Sequence, residues 1–289
     1  MVILNANVFS ASDTIYFINY FDFYKYPAES PKTADLGERP AFYLPENESR
    51  YEAYFQRNDI SYENAVRLVN AGADLDHYSE VAEIADPADT LVFCAKNRKL
   101  PDGYEPDDLR EVYSTGVMLR NDAACALERM IDAMYSEGHD VVLISGYRSY
   151  DSQKWLFDSR SAGASVNAAD MDTARAGHSE HQTGLAVDLL HRVIRPLGNA
   201  GFQRTAQYAW LTANAHEYGF ILRYPENYTD VTGFIYEPWH WRYVGADAAT
   251  EMKEGGYGVF ELYWGEINFV PDIIEINVNS GSAPNNGSR

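Results

Sequence analysis

Apolar residues recur with a helical period over residues 121–137 of the chain. The stripe consists of Ala124, Leu127, Met130, Ile131 and Met134. This spacing predicts a helix that ends at Gly138. The same period, with a hydroxyl residue as N-cap, predicts helices over residues 61–71 and 205–217, and a fourth helix is placed over residues 152–160.

Short apolar segments bounded by turn residues predict the strands. These segments are residues 90–95, 140–145, 184–190, 220–224 and 233–244. Residues 1–60 have weak periodicity and are predicted to form an irregular arm, while residues 161–177, rich in Ser, Ala and Asn, are predicted to form a loop. The order of elements shows no internal repeat.

Composition narrows the class of protein and of partner. The chain has 289 residues, 46% of them hydrophobic, which is enough for a packed core. Its formal charge of −20 argues against nucleic acid as a partner, because phosphate contacts need clustered Lys and Arg. The chain has two cysteines, Cys94 and Cys125, which are too few for a zinc site built from thiolates. They are predicted to be separate thiols, although they could form a disulfide if the chain is exported. No segment approaches the ~20 apolar residues of a membrane span.

One predicted strand, residues 184–190 (GLAVDLL), contains an aspartate. Alternation directs one set of side chains toward the core, namely Leu185, Val187 and Leu189. Asp188 lies on the opposite face beside the small Ala186, where an ionised carboxylate is costly unless it is paired or bound to a cation. His181 lies in a turn seven residues earlier and can fold over the same face. Histidine and aspartate together suit zinc.

A third zinc ligand is sought on another element, because a catalytic zinc has three protein ligands and an open position. The candidate is residues 236–244 (YEPWHWRYV), where aromatic residues alternate with His240 and Arg242. Glu237 lies three residues before His240. Its carboxylate could therefore reach water bound at that metal site and act as a general base. His178 remains open as a fourth ligand, although a loop histidine more often makes a structural hydrogen bond. The histidines without a partner at ligand spacing are His77, His139, His191 and His216.

Two spaced motifs make the sequence resemble a known family. Residues 179–188 fit the pattern S-x-H-x-x-G-x-A-x-D, and residues 237–240 fit E-x-x-H. The chain therefore resembles the VanY-like and LdcB-like zinc D,D-/L,D-carboxypeptidases, which trim the stem peptides of peptidoglycan. The resemblance extends to residues 145–153 (SGYRSYDSQ) and, more loosely, to residues 100–109, and it covers about residues 90–245.

The resemblance implies a role for each matching residue. His181, Asp188 and His240 become the ligands of one Zn²⁺ per chain. Glu237 becomes the base for the attacking water and then the acid for the leaving amine, and Arg148 binds the developing oxyanion or the substrate carboxylate. The implied substrate contacts are Ser179, Gln153, Trp239 and Tyr224.

The expected fold is α+β, with helices packed on a small, mainly antiparallel sheet that carries the mononuclear zinc site. The expected domains are an irregular or helical arm (1–85), the catalytic domain (86–250), and an extension with a disordered tail (251–289). The predicted function is removal of the C-terminal D-Ala from peptidoglycan stem peptides. The alternatives are an L,D-carboxypeptidase acting on tetrapeptides, an endopeptidase of the same metal architecture, and a non-catalytic zinc module that binds cell wall. A monomer outside a bacterial cell, or on its surface, is expected.

Overall fold

The computed structural model describes residues 39–191 and 199–268. Its strands are β1 (Ala82–Glu83), β2 (Arg98–Lys99), β3 (Leu109–Glu111), β4 (Met118–Arg120), β5 (Val142–Ser145), β6 (Ala186–Leu190), β7 (Phe220–Leu222) and β8 (His240–Tyr243). Its helices are α1 (Glu48–Arg57), α2 (Tyr62–Asn70), α3 (Asn121–Ser136), α4 (Tyr150–Gly163), α5 (Val166–Asp172), α6 (Ala206–Asn214), α7 (Thr229–Thr232), α8 (Ala246–Glu254) and α9 (Phe260–Ile267). Within these residues, no helix has the length and apolar character needed to cross a membrane.

The main sheet has four antiparallel strands in the order β5-β6-β8-β7. In its register Asp188 lies opposite Ser145 on one side and opposite His240 on the other. Two smaller sheets pair β1 with β2 in parallel and β3 with β4 in antiparallel orientation. Helices packed on small, mainly antiparallel sheets confirm the predicted α+β fold.

The core lies between α3 and one face of this sheet. Leu127 and Met130 of α3 are fully buried in a cluster that also contains Val187, Leu189 and Trp241 of the central strands. The apolar stripe of residues 121–137 and the alternation around Asp188 are thereby both confirmed. Asp188 and His240 are left on the opposite face, where the polar site is built.

Both predicted hydroxyl N-caps, Ser61 and Thr205, are confirmed. The Ser61 hydroxyl accepts the N–H of Asn64 at the start of α2, and the Thr205 hydroxyl accepts the N–H of Tyr208 at the start of α6. Each bond satisfies one of the amide groups that a helix start leaves without an intrahelical partner.

The predicted strand over residues 90–95 is wrong. Thr90 and Leu91 lie in a turn, and residues 92–94 are buried without pairing as a strand. A side chain satisfies two of the backbone carbonyls: Nη2 of Arg242 donates to the oxygens of Thr90 (2.9 Å) and Val92 (2.8 Å). An apolar sequence predicts burial and cannot show that an arginine replaces a neighbouring strand. Cys94 is buried there, and both it and Cys125 are free thiols.

Three other predictions need correction. The strand predicted over 233–244 begins only at His240, because Gly233 has a positive φ of 75° and the N–H of His240 closes a turn on the carbonyl of Glu237. Within the predicted loop over 161–177, Ser165 caps the short helix α5. The sequence predicts an irregular arm over residues 1–60, whereas the described part of that arm contains the helix α1.

Helices α2 and α9 approach each other so closely that their contact requires a glycine. A Cβ added to Gly265 would lie 1.9 Å from the carbonyl oxygen of Arg67. We therefore expect Gly265→Ala to lower the free energy of unfolding by about 3 kcal/mol, the upper range for overpacking, because backbone must move. Gly163→Ala is the matched control, since nothing lies within 4 Å of its added Cβ. Equal urea midpoints for the two variants would contradict the prediction.

Candidate metal centre

His181, Asp188 and His240 converge on the polar face of the main sheet. Asp188 and His240 are register partners in β6 and β8, and His181 belongs to the 3₁₀ helix Glu180–Thr183 that leads into β6. One ligand atom from each of the three residues lies within 4.8 Å of the others. All three lie close to the interior, with Asp188 slightly more exposed than the histidines.

The hydrogen bonds of the two histidines determine which ring nitrogen of each faces Asp188. Nδ1 of His181 lies 2.7 Å from the carbonyl oxygen of Gly146, so it donates there and leaves Nε2 facing Oδ2 of Asp188 at 3.4 Å. Nε2 of His240 lies 3.4 Å from Oε2 of Glu180, which leaves Nδ1 facing Oδ1 of Asp188, also at 3.4 Å. Two nitrogens and a carboxylate thus point at one position.

The donor set fits a zinc ion. Oδ1 of Asp188 is buried and accepts no hydrogen bond from the described residues, although a buried acceptor without a partner is costly. A divalent cation would satisfy it. Two imidazoles and one carboxylate are also a ligand set typical of catalytic zinc, with one coordination position left open. The residues present therefore fit zinc.

Glu237 lies beside this triad. Its Oε2 is 3.6 Å from Nδ1 of His240, and its side chain is 8% exposed. Burial raises the pKa of the Glu237 carboxyl to about 8, with Asp188 adding to the shift and His240 opposing it. A cation held by the triad would lower this pKa again, toward the working range of a general base.

The charges around His240 also favour a cation. Burial lowers the pKa of its imidazole, but the neighbouring carboxylates of Asp188 and Glu180 together outweigh burial and raise it to about 9. Burial dominates at His181 and lowers its pKa. The carboxylates around His240 therefore favour positive charge at this ligand, which a divalent ion would supply.

Arg148 is held next to the triad by three contacts. Its N–H donates to the carbonyl of His181 at 3.1 Å, Nη1 donates to Oε1 of Gln153 at 2.6 Å, and Nη2 donates to Oγ of Ser145 at 2.9 Å. Gln153 is buried, and its Nε2 donates to the carbonyl of Ala174 at 2.6 Å. Both ends of the Gln153 amide are thus occupied, Oε1 by Arg148 and Nε2 by Ala174, which favours support of the guanidinium over direct contact with substrate.

The other predicted substrate contacts surround the histidines. Oγ of Ser179 accepts the N–H of His181 at 3.3 Å, and the ring of Tyr224 lies 4.9 Å from that of His240. Trp239 is partly exposed beside His240. Their contact with substrate stays a prediction. His178 lies outside the triad, where its Nδ1 is 2.9 Å from the carbonyl oxygen of Ala95.

Sequence reasoning missed Glu180, which occupies a variable position of the S-x-H-x-x-G-x-A-x-D pattern. Its side chain is fully buried and contacts His240, Arg223 and Arg242. The signal in the sequence was weak: a single acidic residue between the motif residues Ser179 and His181, in a segment that contains several other polar side chains.

Comparisons with known proteins agree with the geometry. Residues 116–246 match the family model of VanY, D-alanyl-D-alanine carboxypeptidase. The chain is also 38% identical over 198 residues to YodJ of Bacillus subtilis (strain 168), covering 66% of this chain and 72% of that protein. The chain belongs to the VanY family of carboxypeptidases. The predicted resemblance and enzyme class are thereby confirmed.

Solved structures of VanY-family relatives share the fold. The LdcB L,D-carboxypeptidase, whose structure concerns peptidoglycan recognition, superposes with a TM-score of 0.60 at 38% identity over 64% of this chain and 90% of its own. A glutamate-to-alanine variant of the D,D-pentapeptidase VanY from a VanB-type vancomycin resistance cassette, in complex with Zn(II), superposes with a TM-score of 0.52 at 33% identity, over 60% and 98%. Both D,D and L,D enzymes are thus among the relatives.

Proposed function

We propose that this chain is a zinc-dependent carboxypeptidase that removes the C-terminal D-alanine from peptidoglycan stem peptides. The observation that carries the proposal is the convergence of His181, Asp188 and His240 with a buried glutamate, Glu237, in a member of the VanY family. One zinc ion per chain is held by Nε2 of His181, Nδ1 of His240 and the carboxylate of Asp188. Bound there, zinc supplies the Lewis acidity that activates water and polarises the scissile carbonyl.

Glu237 moves the protons of the reaction in this proposal. Its carboxylate takes a proton from the attacking water and then gives it to the amine of the departing D-alanine. The position of Oε2, 3.6 Å from the metal-facing nitrogen of His240, supports this role. Burial supports it as well, because it keeps bulk water from competing for the proton.

Arg148 binds anionic oxygen in this proposal, either the terminal carboxylate of the peptide or the developing oxyanion. A guanidinium fixed by Gln153 and Ser145 keeps its geometry when substrate enters, so little side-chain entropy is lost on binding. Capture of a free carboxylate favours removal of a terminal residue over cleavage within a chain. Ser179, Tyr224 and Trp239 are proposed to line the subsite of the terminal residue.

The D-Ala-D-Ala bond of a pentapeptide stem is the proposed point of cleavage, supported by the match to the VanY family model. The similarity to LdcB, 38% identical with a TM-score of 0.60, favours a second candidate. In that reaction D-alanine is removed from the L-centre that precedes it in a tetrapeptide stem. The residues proposed for catalysis serve either reaction, since both release the same amino acid.

Mass spectrometry of defined muropeptides tests the proposal. We expect the zinc-loaded chain to shorten a pentapeptide muropeptide by one alanine, because its free carboxylate and terminal D-alanine match the proposed site. Shortening of the tetrapeptide in preference to the pentapeptide would establish the L,D reaction instead. Cleavage within the stem would establish an endopeptidase. No change in either substrate would contradict a catalytic role and favour a cell-wall-binding module.

The proposal also covers the location, oligomeric state and domain organisation of the enzyme. Because peptidoglycan lies outside the cytoplasmic membrane, the working site of the protein is proposed to be extracellular or at the surface of a bacterium. The protein is proposed to act as a monomer with residues 86–250 as catalytic domain, residues 1–85 as an arm, and residues 251–289 as an extension.

A further inference from the structure

Four buried charged side chains form a connected group beneath His240. They are Glu180, Arg223, Arg242 and Glu261, with side-chain exposures between 0% and 3%. Burying isolated charges at this depth is strongly unfavourable, so the group must be paired throughout. The two carboxylates and the two guanidinium groups balance each other's charge. The group next to His240 is therefore neutral as a whole.

The ion pairs run from α9 to His240. Nη1 and Nη2 of Arg223 donate to the two oxygens of Glu261 at 3.0 and 2.9 Å, and Nε of Arg223 donates to Oε1 of Glu180 at 2.8 Å. Nη1 of Arg242 donates to the same Oε1 at 3.0 Å. Oε1 of Glu180 is therefore occupied by two arginines, which have only donors to offer. Oε2 of Glu180 faces Nε2 of His240.

We infer that Glu180 is a positioning residue that sets the tautomer of His240. An ionised carboxylate can only accept, so Nε2 of His240 must carry the proton. With zinc bound, Nδ1 is then the nitrogen that offers its lone pair to the metal, beside the carboxylate of Asp188. The inference rests on the proposed zinc site and adds to it a residue that touches neither metal nor substrate. Such an outer carboxylate fixes ring orientation and makes the ligating nitrogen more basic.

An amide at position 180 would reverse this arrangement. In Glu180→Gln the two arginines take the amide oxygen, because they cannot bond to its NH₂ group. The NH₂ group is then turned toward Nε2 of His240, which must accept. The proton of the imidazole moves to Nδ1, and that nitrogen can no longer bind a metal. The substitution also leaves an excess of positive charge near the site, which further disfavours a dication.

The test measures zinc affinity of the full chain by competition with a fluorescent chelator, without substrate. We expect Glu180→Gln to weaken zinc binding by about 10- to 100-fold, the effect typical of losing an outer-shell partner. Glu261→Gln is the matched control: it removes an equally buried carboxylate from Arg223 but does not contact His240. Its zinc affinity is expected to stay close to that of the wild type. Unchanged affinity in Glu180→Gln, or equal losses in both variants, would overturn the inference.

A second measurement does not depend on how the variants fold. In the zinc-loaded wild-type chain with ¹⁵N-labelled histidine, long-range ¹H–¹⁵N spectra are expected to show a protonated Nε2 and a metal-bound Nδ1 for His240. A metal-bound Nε2 would overturn the inference. A chain that gives the expected spectra and affinities but trims no muropeptide would contradict the proposed function and leave the inference standing.

Discussion

Glu237→Gln is expected to lower kcat for D-alanine release by about 1,000-fold or more, while the chain still binds zinc. The amide keeps the shape of the buried side chain but cannot take a proton from water or return one to the leaving amine. General acid–base catalysis contributes about 10²–10⁴-fold, and here one residue performs both steps. Release of D-alanine measured by mass spectrometry, together with zinc content by elemental analysis, checks both parts of the prediction.

The exposed Glu226 provides the control for this variant. Glu226→Gln removes the same charge from a nearby surface position and is expected to leave kcat unchanged. Full activity in Glu237→Gln would refute its role as the base. Loss of zinc together with activity would instead show that Glu237 is a ligand of the metal.

His240→Ala is expected to abolish zinc binding and activity together. Its Nδ1 is one of the three ligand atoms, and its loss leaves one imidazole and one carboxylate, too few for a stable mononuclear site. Elemental analysis after dialysis is expected to give a zinc content close to zero. Far-UV circular dichroism distinguishes loss of the metal from loss of the fold.

His178→Ala is the matched control, because His178 is also buried and lies three residues before His181. Its Nδ1 is engaged with the carbonyl of Ala95, so its removal is expected to leave the zinc content unchanged. Retention of zinc by His240→Ala would contradict the ligand set. Loss of zinc from His178→Ala would add His178 to it.

The sequence was sufficient where local periodicity coincides with burial. Alternation along residues 184–190 placed Asp188 opposite the core, and its neighbours Val187 and Leu189 are indeed in the core cluster. The helix α3 follows from its apolar stripe for the same reason. The meeting of Asp188 with His240 followed from two motifs rather than from periodicity, because the register between β6 and β8 is not encoded locally.

The features that were missed depend on partners distant in sequence. Residues 90–95 do not form the predicted strand, and the carbonyls of Thr90 and Val92 are satisfied instead by the side chain of Arg242 from about 150 positions away. Glu180 is separated by 43 positions from Arg223, and Arg223 by 38 from Glu261. A pattern within a short window cannot show such contacts. The helix α5 was missed because seven residues give too little periodicity to distinguish a helix from a loop.

The bidentate contact between Arg223 and Glu261 bears on where an active fragment of this protein can end. The family match stops at residue 246, whereas Glu261 lies in α9, which also packs against α2 near the start of the described chain. A fragment ending at residue 250 would bury Arg223 with Glu180 as its sole remaining carboxylate partner among the contacts described. We therefore expect an active fragment of this protein to extend through α9, beyond the boundary at residue 250 that the sequence predicts.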